Sequence, residues 1–191
     1  LYGMSNILPN VTSLELVYTA GDQTIPDYAL YDQSSNTGAA WLKTLAMITA
    51  GSQLTGIGDY AFSHCTNLGT LSLPSAVSVI GDYAFSSCWR LDGTLVIPSS
   101  VTEIGHKAFT NCTGLDTLSL PAAGSLTIGE EAFYGCSGLD GTLTIPSSVT
   151  SIAGHAFYNC YGLDALSLPA AGSLTIGIYA FEACTGLDGT L

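Results

Sequence analysis

Apolar positions return along this chain at a fixed long period, and within each period they alternate with polar ones over a few residues. From residue 56 onward the phrase Gly-x-x-Ala-Phe-x-x-Cys comes round with Phe62, Phe85, Phe109, Phe133, Phe157 and Phe181, spaced 23, 24, 24, 24 and 24 residues. All six cysteines keep step: Cys65, Cys88, Cys112, Cys136, Cys160 and Cys184. A period in the twenties makes each unit one coil of a solenoid, burying its apolar face only against its neighbours. Between Cys112 and Cys136, Leu118 and Leu120 share one side of a short strand that Pro121 ends. A second extended run, Ser125 to Ile128, points Leu126 and Ile128 the same way. Gly129 turns the chain, and Glu130 to Gly135 reads as a single helical turn presenting Ala132, Phe133 and Cys136 to the core.

The coils come in two kinds. One reads LDGTLTIP followed by SSVTSI (Leu139 to Ile152), with an extra Gly before the strand. The other reads LDALSLP followed by AAGSLTI (Leu163 to Ile176), with an extra residue after it. Each totals 24 residues, whereas the coil from Phe62 has neither insertion and spans 23. This compensation is expected to hold every core ladder in register.

Residues 1–55 read as degenerate N-terminal repeats or a cap. Thr24 to Leu30 echoes Thr55 to Phe62, with Leu30 in the Phe slot, Gln33 in the Cys slot, and a loop of about eight extra residues near Gln33 to Ala40. Residues 56–191 are the regular repeats, and the whole forms one continuous domain. The last coil stops at Thr190-Leu191, partway through a strand, so the natural chain is expected to continue. The open edge carrying Leu187 and Leu191 is expected to support end-to-end self-association.

The full phrase, Leu-x-x-Leu-x-Leu-Pro followed by Val-Thr-x-Ile-Gly-x-x-Ala-Phe-x-x-Cys, resembles the BspA-like leucine-rich repeat family. The resemblance covers about Ile57 to Leu191; Ala153-Gly154 departs from the Gly slot, and the first two coils lack both Phe and Cys. It implies a right-handed leucine-rich repeat solenoid, with a parallel β-sheet on one face and short second strands and single helical turns on the other. The family consists of surface or secreted proteins of oral and gut bacteria and of mucosal protozoa. The resemblance therefore implies an extracellular or cell-surface location and adhesion to host matrix proteins, host cells or other microbes. The functional expectation is a non-catalytic binding module. Its alternatives are a structural spacer or stalk in a larger surface protein, and a glycan-binding accessory module.

Composition narrows the partners. Hydrophobic residues make up 47% of the chain and charged ones 9%, as expected of a soluble protein whose core runs its full length. The longest apolar stretch, Ala39 to Gly51, is interrupted by Lys43 and too short to span a bilayer, so no membrane insertion is expected. Three Lys and Arg against 15 Asp and Glu leave a formal charge of −12, with almost nothing to neutralise phosphates. Nucleic acid and anionic membrane surfaces are thereby disfavoured.

Catalysis finds no foothold. His64, His106 and His155 fall in three different repeats, and no nucleophile elbow, metalloprotease signature or phosphate loop appears. No catalytic residue, cofactor or structural metal is expected. The cysteines share one slot, where parallel side chains fit a disulfide torsion poorly, so they are expected as reduced core residues.

Asp92, Asp116, Asp140, Asp164 and Asp188 form a ladder with two readings: hydrogen bonds to the turn entering each strand, or a row of weak calcium sites. Two groups are candidate ligand contacts. One is the outward strand residues Thr94, Thr117 and Thr142; the other is Tyr83, Tyr134, Tyr158 and Tyr179, which flank the Phe slot.

Overall fold

The structure is a computed structural model that describes residues 13–15, 24–32, 37–38, 44–46 and 54–187, with the backbone alone at 13–15, 32, 37 and 44–46. Sixteen short strands, numbered β1 to β16 along the chain, lie among these residues. Seven make one unbroken parallel sheet: β2 (Thr24–Ile25), β6 (Gly56–Ile57), β8 (Val79–Ile80), β10 (Glu103–Ile104), β12 (Leu126–Ile128), β14 (Val149–Ile152) and β16 (Thr175–Ile176). These are the second strands of each coil, and Ile25, Ile57, Ile80, Ile104, Ile128 and Ile152 stack beneath them, each no more than 2% exposed.

The Leu-x-Leu strands behave differently. They pair in separate sets: β1 (Ser13–Glu15), β5 (Thr44–Ala46) and β7 (Thr70–Ser72); β9 (Thr94–Val96) with β11 (Thr117–Ser119); and β13 (Gly141–Thr144) with β15 (Leu163–Ser167). No ladder joins β7 to β9 or β11 to β13. Each interruption falls where the next coil carries the extra glycine, Gly93 at φ +70° or Gly141 at φ +66°. Register therefore survives along the core but not along this sheet, and the expected compensation is only partial.

The extra residue has a second effect. Leu95, Ile97, Leu143 and Ile145 in the glycine-bearing coils are 1–3% exposed, whereas in coils without that glycine Leu71, Leu73, Leu120 and Leu166 are only partly buried and Leu118 is 7% exposed. A left-handed glycine lets its strand drop toward the core, and the strand face becomes corrugated.

No helix lies among the described residues, so none is long and apolar enough to cross a membrane. The helical turn expected at Ala-Phe-x-x-Cys is a chain of tight turns instead. Tyr83, Phe85 and Ser87 donate their amides to His106, Ala108 and Thr110 of the next coil at 2.8, 2.7 and 2.8 Å. Ala84, Ser86 and Cys88 donate three residues back, to Gly81, Tyr83 and Phe85. An α-helix would direct every amide four residues back along one axis. Here half the amides are committed to the neighbouring coil, which requires left-handed residues such as Tyr83 (φ 56°) and Ser87 (φ 60°). Each such conformation costs a non-glycine residue about 1–2 kcal/mol, which the inter-coil bonds offset.

Under this ribbon the phenylalanines stack face to face, with centroids 5.1–5.3 Å apart from Phe62 through Phe181. The cysteines beside them are free and buried. From Cys88 onward each thiol donates to the phenylalanine carbonyl of an earlier coil at 3.0–3.4 Å: Cys88 to Phe62, Cys112 to Phe85, and so on to Cys184 with Phe157. Burial pushes the Cys88 and Cys112 thiols well up and that of Cys136 to about 12, which keeps them protonated as donors.

Of the N-terminal region, the described part places Leu30 with its amide on Ala61 at 2.7 Å, as Phe62 donates to Ala84. An antiparallel pair, β3 (Tyr31–Asp32) with β4 (Thr37–Gly38), follows it and packs against the next coil, with Gly38 close on the Ser63 and His64 backbone. Gln33, Asp188 and Leu191 lie outside the described residues, as does most of 1–55.

Two glycines separate steric from conformational need. At Gly114 a Cβ would lie 2.8 Å from the Trp89 carbonyl and 3.0 Å from that of Leu91, both backbone atoms; at Gly93 it would meet nothing within 4 Å. Gly114→Ala is expected to cost about 3 kcal/mol by forcing two coils apart. Gly93→Ala should cost about 1 kcal/mol from its left-handed φ alone, and Gly93→Asn less. Urea unfolding of the three variants checks this order.

Candidate functional site

The sequence candidates divide between two faces. Thr94, Thr117 and Thr142 stand outward on β9, β11 and β13, exposed, in rows with Thr70, Ser72, Val96, Ser119, Thr144, Ala165 and Ser167. Thr94 lies directly beside Thr117 in the ladder, and Thr142 beside Ala165. Small side chains on this corrugated surface leave the face open, and none of these ten is charged.

The tyrosines sit on the turn ribbon, and most are engaged with one another. Tyr28, Tyr60 and Tyr83 stack at 5.0 and 4.5 Å with interplanar angles of 9° and 7°. Tyr83 also bonds His106 Nε2 through its hydroxyl at 3.2 Å and lies under the Lys107 ammonium, which pairs with Glu131 at 3.3 Å. Burial, and then the neighbouring Tyr83 and Tyr28, push the Tyr60 hydroxyl up to about 12. Tyr134 and Tyr158 stack at 5.2 Å and 4°, half-buried, with His155 tilted against Tyr158 and Tyr179. Rings stacked along the solenoid axis present edges to solvent, so Tyr83, Tyr134 and Tyr158 have little free face to offer a ligand. Tyr179 is different, at 58% exposed.

The aspartate ladder is exposed at Asp92, Asp116, Asp140 and Asp164. Asp116 accepts the Gly93 amide of the preceding coil at 3.1 Å, so its carboxylate tethers the left-handed glycine across coils rather than capping its own turn. Among the described residues no group of three or more His, Cys, Asp or Glu could hold a metal ion.

Sequence reasoning missed another carboxylate row. Asp27 accepts the Asp59 amide at 2.9 Å, Asp59 that of Asp82 at 2.8 Å, and Asp82 that of His106 at 2.7 Å. The signal was present in Pro26-Asp27-Tyr28, Gly58-Asp59-Tyr60 and Gly81-Asp82-Tyr83.

A cleft of about 160 Å³ opens where β7 and β9 part, lined by Thr70, Leu71, Leu91, Asp92, Gly93 and Thr94 among others. The corner that leads into it, Cys88-Trp89-Arg90-Leu91, is a tight turn closed by the Leu91 amide on the Cys88 carbonyl at 3.0 Å. Trp89 is 52% exposed at this corner, and Arg90 is exposed beside it.

These coils, with two parallel strands and a turn ribbon each around one leucine and phenylalanine core, define a leucine-rich repeat solenoid. The chain belongs to the family of BspA-type leucine-rich repeats, whose sequence profile matches residues 23–140 and 115–189. Among solved structures it is similar to a leucine-rich repeat protein from Eubacterium ventriosum, with a TM-score of 0.71 at 23% identity, covering 93% of this chain and 44% of that one. It is also similar to the T. pallidum leucine-rich repeat protein (TM-score 0.58, 25% identity, 94% of this chain and 85% of that one). A leucine-rich cell surface protein from Faecalibacterium prausnitzii aligns with a TM-score of 0.54 at 25% identity, over 93% of this chain and 49% of that one. The chain thus spans about half the length of the Eubacterium and Faecalibacterium proteins. A comparison with curated proteins returns no match.

Because Tyr134 and Tyr158 stack half-buried while Tyr179 is mostly exposed with only a tilted contact to His155, their substitutions should differ. Replacing the first two with Ser is expected to cost about 1–3 kcal/mol of stability through lost stacking and burial; Tyr179→Ser should change it by less than about 0.5 kcal/mol. Chemical unfolding of the double and single variants measures both.

His64 carries a pH dependence. It bonds Ser63 at 2.9 Å and stacks on Tyr31 at 5.5 Å, and burial lowers its pKa. The unfolded chain therefore takes up this proton first, near pH 6.5. The stability His64 contributes is full above that pH and is lost as pH falls through the lowered folded value. Thermal melts between pH 7.5 and 5 should show a drop that His64→Gln flattens.

Proposed function

We propose that this domain is a non-catalytic recognition module displayed at a cell surface, which attaches its parent chain to proteins on host or microbial surfaces. The observation that carries this is the strand face. Ten outward positions on five coils, from Thr70 to Ser167, are all exposed and uncharged across the breaks between the strand sets, a uniformity that the core does not require. Solenoids bind through extended faces of this kind. Membership of the BspA-type family and likeness to a protein described as a leucine-rich cell surface protein support the location. The three histidines support the absence of catalysis: His64 is engaged with Ser63 and Tyr31, His106 with Tyr83, and His155 with Tyr158 and Tyr179. None of these contacts forms an acid–base–nucleophile set.

The test is binding of the folded domain to immobilised extracellular matrix proteins and mucins. Replacing Thr94, Thr117 and Thr142 together with Lys should leave the melting temperature nearly unchanged, because all three are exposed, and weaken binding at least about tenfold. Undiminished binding by the triple variant would move the site off the strand face. No binding by the parent domain to any of these proteins would favour a spacer.

A further inference from the structure

The geometry points to a binding site for a neutral sugar unit at the Trp89–Arg90 corner and the adjoining cleft between β7 and β9. The inference rests on the reading of the strand face as the binding face, since Thr70 and Thr94 belong to both, and it names the ligand class at one end of that face.

Corners of successive coils stack directly. The Thr113 hydroxyl donates to the Trp89 carbonyl at 3.3 Å, and a Cβ on Gly114 would crowd that same carbonyl and that of Leu91. Trp89, Thr113, Ser137 and Tyr161 therefore occupy one row, and Arg90, Gly114, Gly138 and Gly162 the next. Thr-Gly and Ser-Gly satisfy the fold at this corner, as Thr113-Gly114 and Ser137-Gly138 show. Trp89-Arg90 replaces them with two large side chains, Trp89 about half exposed and Arg90 exposed. Among the described residues Trp89 stacks on no other ring and Arg90 makes no ion pair, so both are open to a ligand, unlike the stacked tyrosines.

This departure falls in the coil whose extra glycine opens the cleft. Three residues after Trp89 comes the exposed Asp92, then Gly93 and Thr94 on the cleft wall, with Thr70 opposite. No ladder joins β7 to β9, and at the cleft the two coils are tied by the Asp92 amide on the Gly69 carbonyl at 2.8 Å. The second interruption, between β11 and β13, is preceded by Ser137-Gly138 and lacks these side chains.

The chemistry selects the occupant. An aromatic face is negative and attracts the weakly positive C–H groups of an apolar ring face. Arg90 only donates hydrogen bonds, the Asp92 carboxylate only accepts them, and the threonine hydroxyls do both. A hydroxyl-rich ring with one C–H face uses all of these together. A polyanion would meet Asp92, Asp116 and a chain of net charge −12. A cation, which that charge and the Trp89 face would attract, is opposed by Arg90, so the choice of a neutral ring rests on Arg90. The cleft is small, about 160 Å³, with Leu71, Leu91, Leu95 and Leu115 beside its polar groups, and admits a single ring of a ligand whose remainder rests on the corner outside it.

The experiment presents the domain to neutral gluco-, manno- and galacto-oligosaccharides and to a sulfated glycosaminoglycan, followed by titration calorimetry with the best neutral hit. Binding to a neutral oligosaccharide and not to the sulfated chain is expected. Trp89→Ala should weaken it at least about tenfold, and Asp92→Asn by about three- to tenfold. Asp92→Asn is nearly isosteric and keeps the variant set informative should Trp89→Ala disturb folding, which circular dichroism reports. No neutral binding, preference for the sulfated chain, or full affinity in both variants would overturn the inference. If matrix-protein binding through Thr117 and Thr142 persists in that case, the strand-face reading stands alone; if it too is missing, both fail.

Discussion

Everything in this molecule depends on the direction in which half the backbone amides of the turn ribbon point. Tyr83, Phe85 and Ser87 send theirs along the solenoid axis to the following coil, and the equivalent residues of later coils repeat the arrangement. The commitment makes left-handed residues obligatory at two slots per coil, forbids a helix, and brings successive phenylalanines to stacking distance. It also leaves each phenylalanine carbonyl with spare accepting capacity. The Phe85 carbonyl takes the Cys88 amide from its own coil and the Cys112 thiol from the next. A small buried hydrophobe alone would not explain six cysteines in one slot; a small hydrophobe with a donor does.

Against that rigid ribbon the Leu-x-Leu side is adjustable. An inserted residue can be absorbed there because Gly93 and Gly141 adopt positive φ and let β9 and β13 sink. The cost is a broken ladder at each insertion, and the Asp116 carboxylate on the Gly93 amide limits it. The same adjustment opens a cleft on the strand face, beside the coil corner that departs most from the repeat. Among the regular coils, variation in length is thus absorbed on the Leu-x-Leu side.

How legible this was depended on whether a feature repeats by chemistry or by backbone geometry. The Phe and Cys ladders, the paired strands and the inward set Leu118, Leu126 and Ile128 followed from spacing, because burial selects side chains directly. The supposed helical turn at Glu130 to Gly135 did not, since Glu131, Lys107, His155 and Tyr179 share a left-handed conformation that their side chains do nothing to advertise. Nor did the broken strand sheet: a count of residues per coil shows that insertions balance, not which strand each displaces. For the candidate site, the exposed threonines were readable from alternation. The stacking of Tyr83, Tyr134 and Tyr158 was not readable, because a residue type suited to recognition is equally suited to stacking on its own copy one coil away. Trp89 went unnoticed although it stands out once corners are aligned by coil.

The two sheets also differ as mechanical elements. The seven strands from β2 to β16 form an uninterrupted hydrogen-bonded spine, while the opposite side is divided into blocks of two or three strands. Bending that opens the divided side strains only single bonds at each gap, the Asp92 amide on Gly69 and the Asp140 amide on Asp116; bending that opens the spine would break a ladder at every coil. The rod is therefore compliant in one direction and stiff in the other, with its hinges at Gly93 and Gly141. A partner resting on the strand face would meet a surface able to change its curvature in two-coil steps, while tension along the axis is carried by the spine behind it.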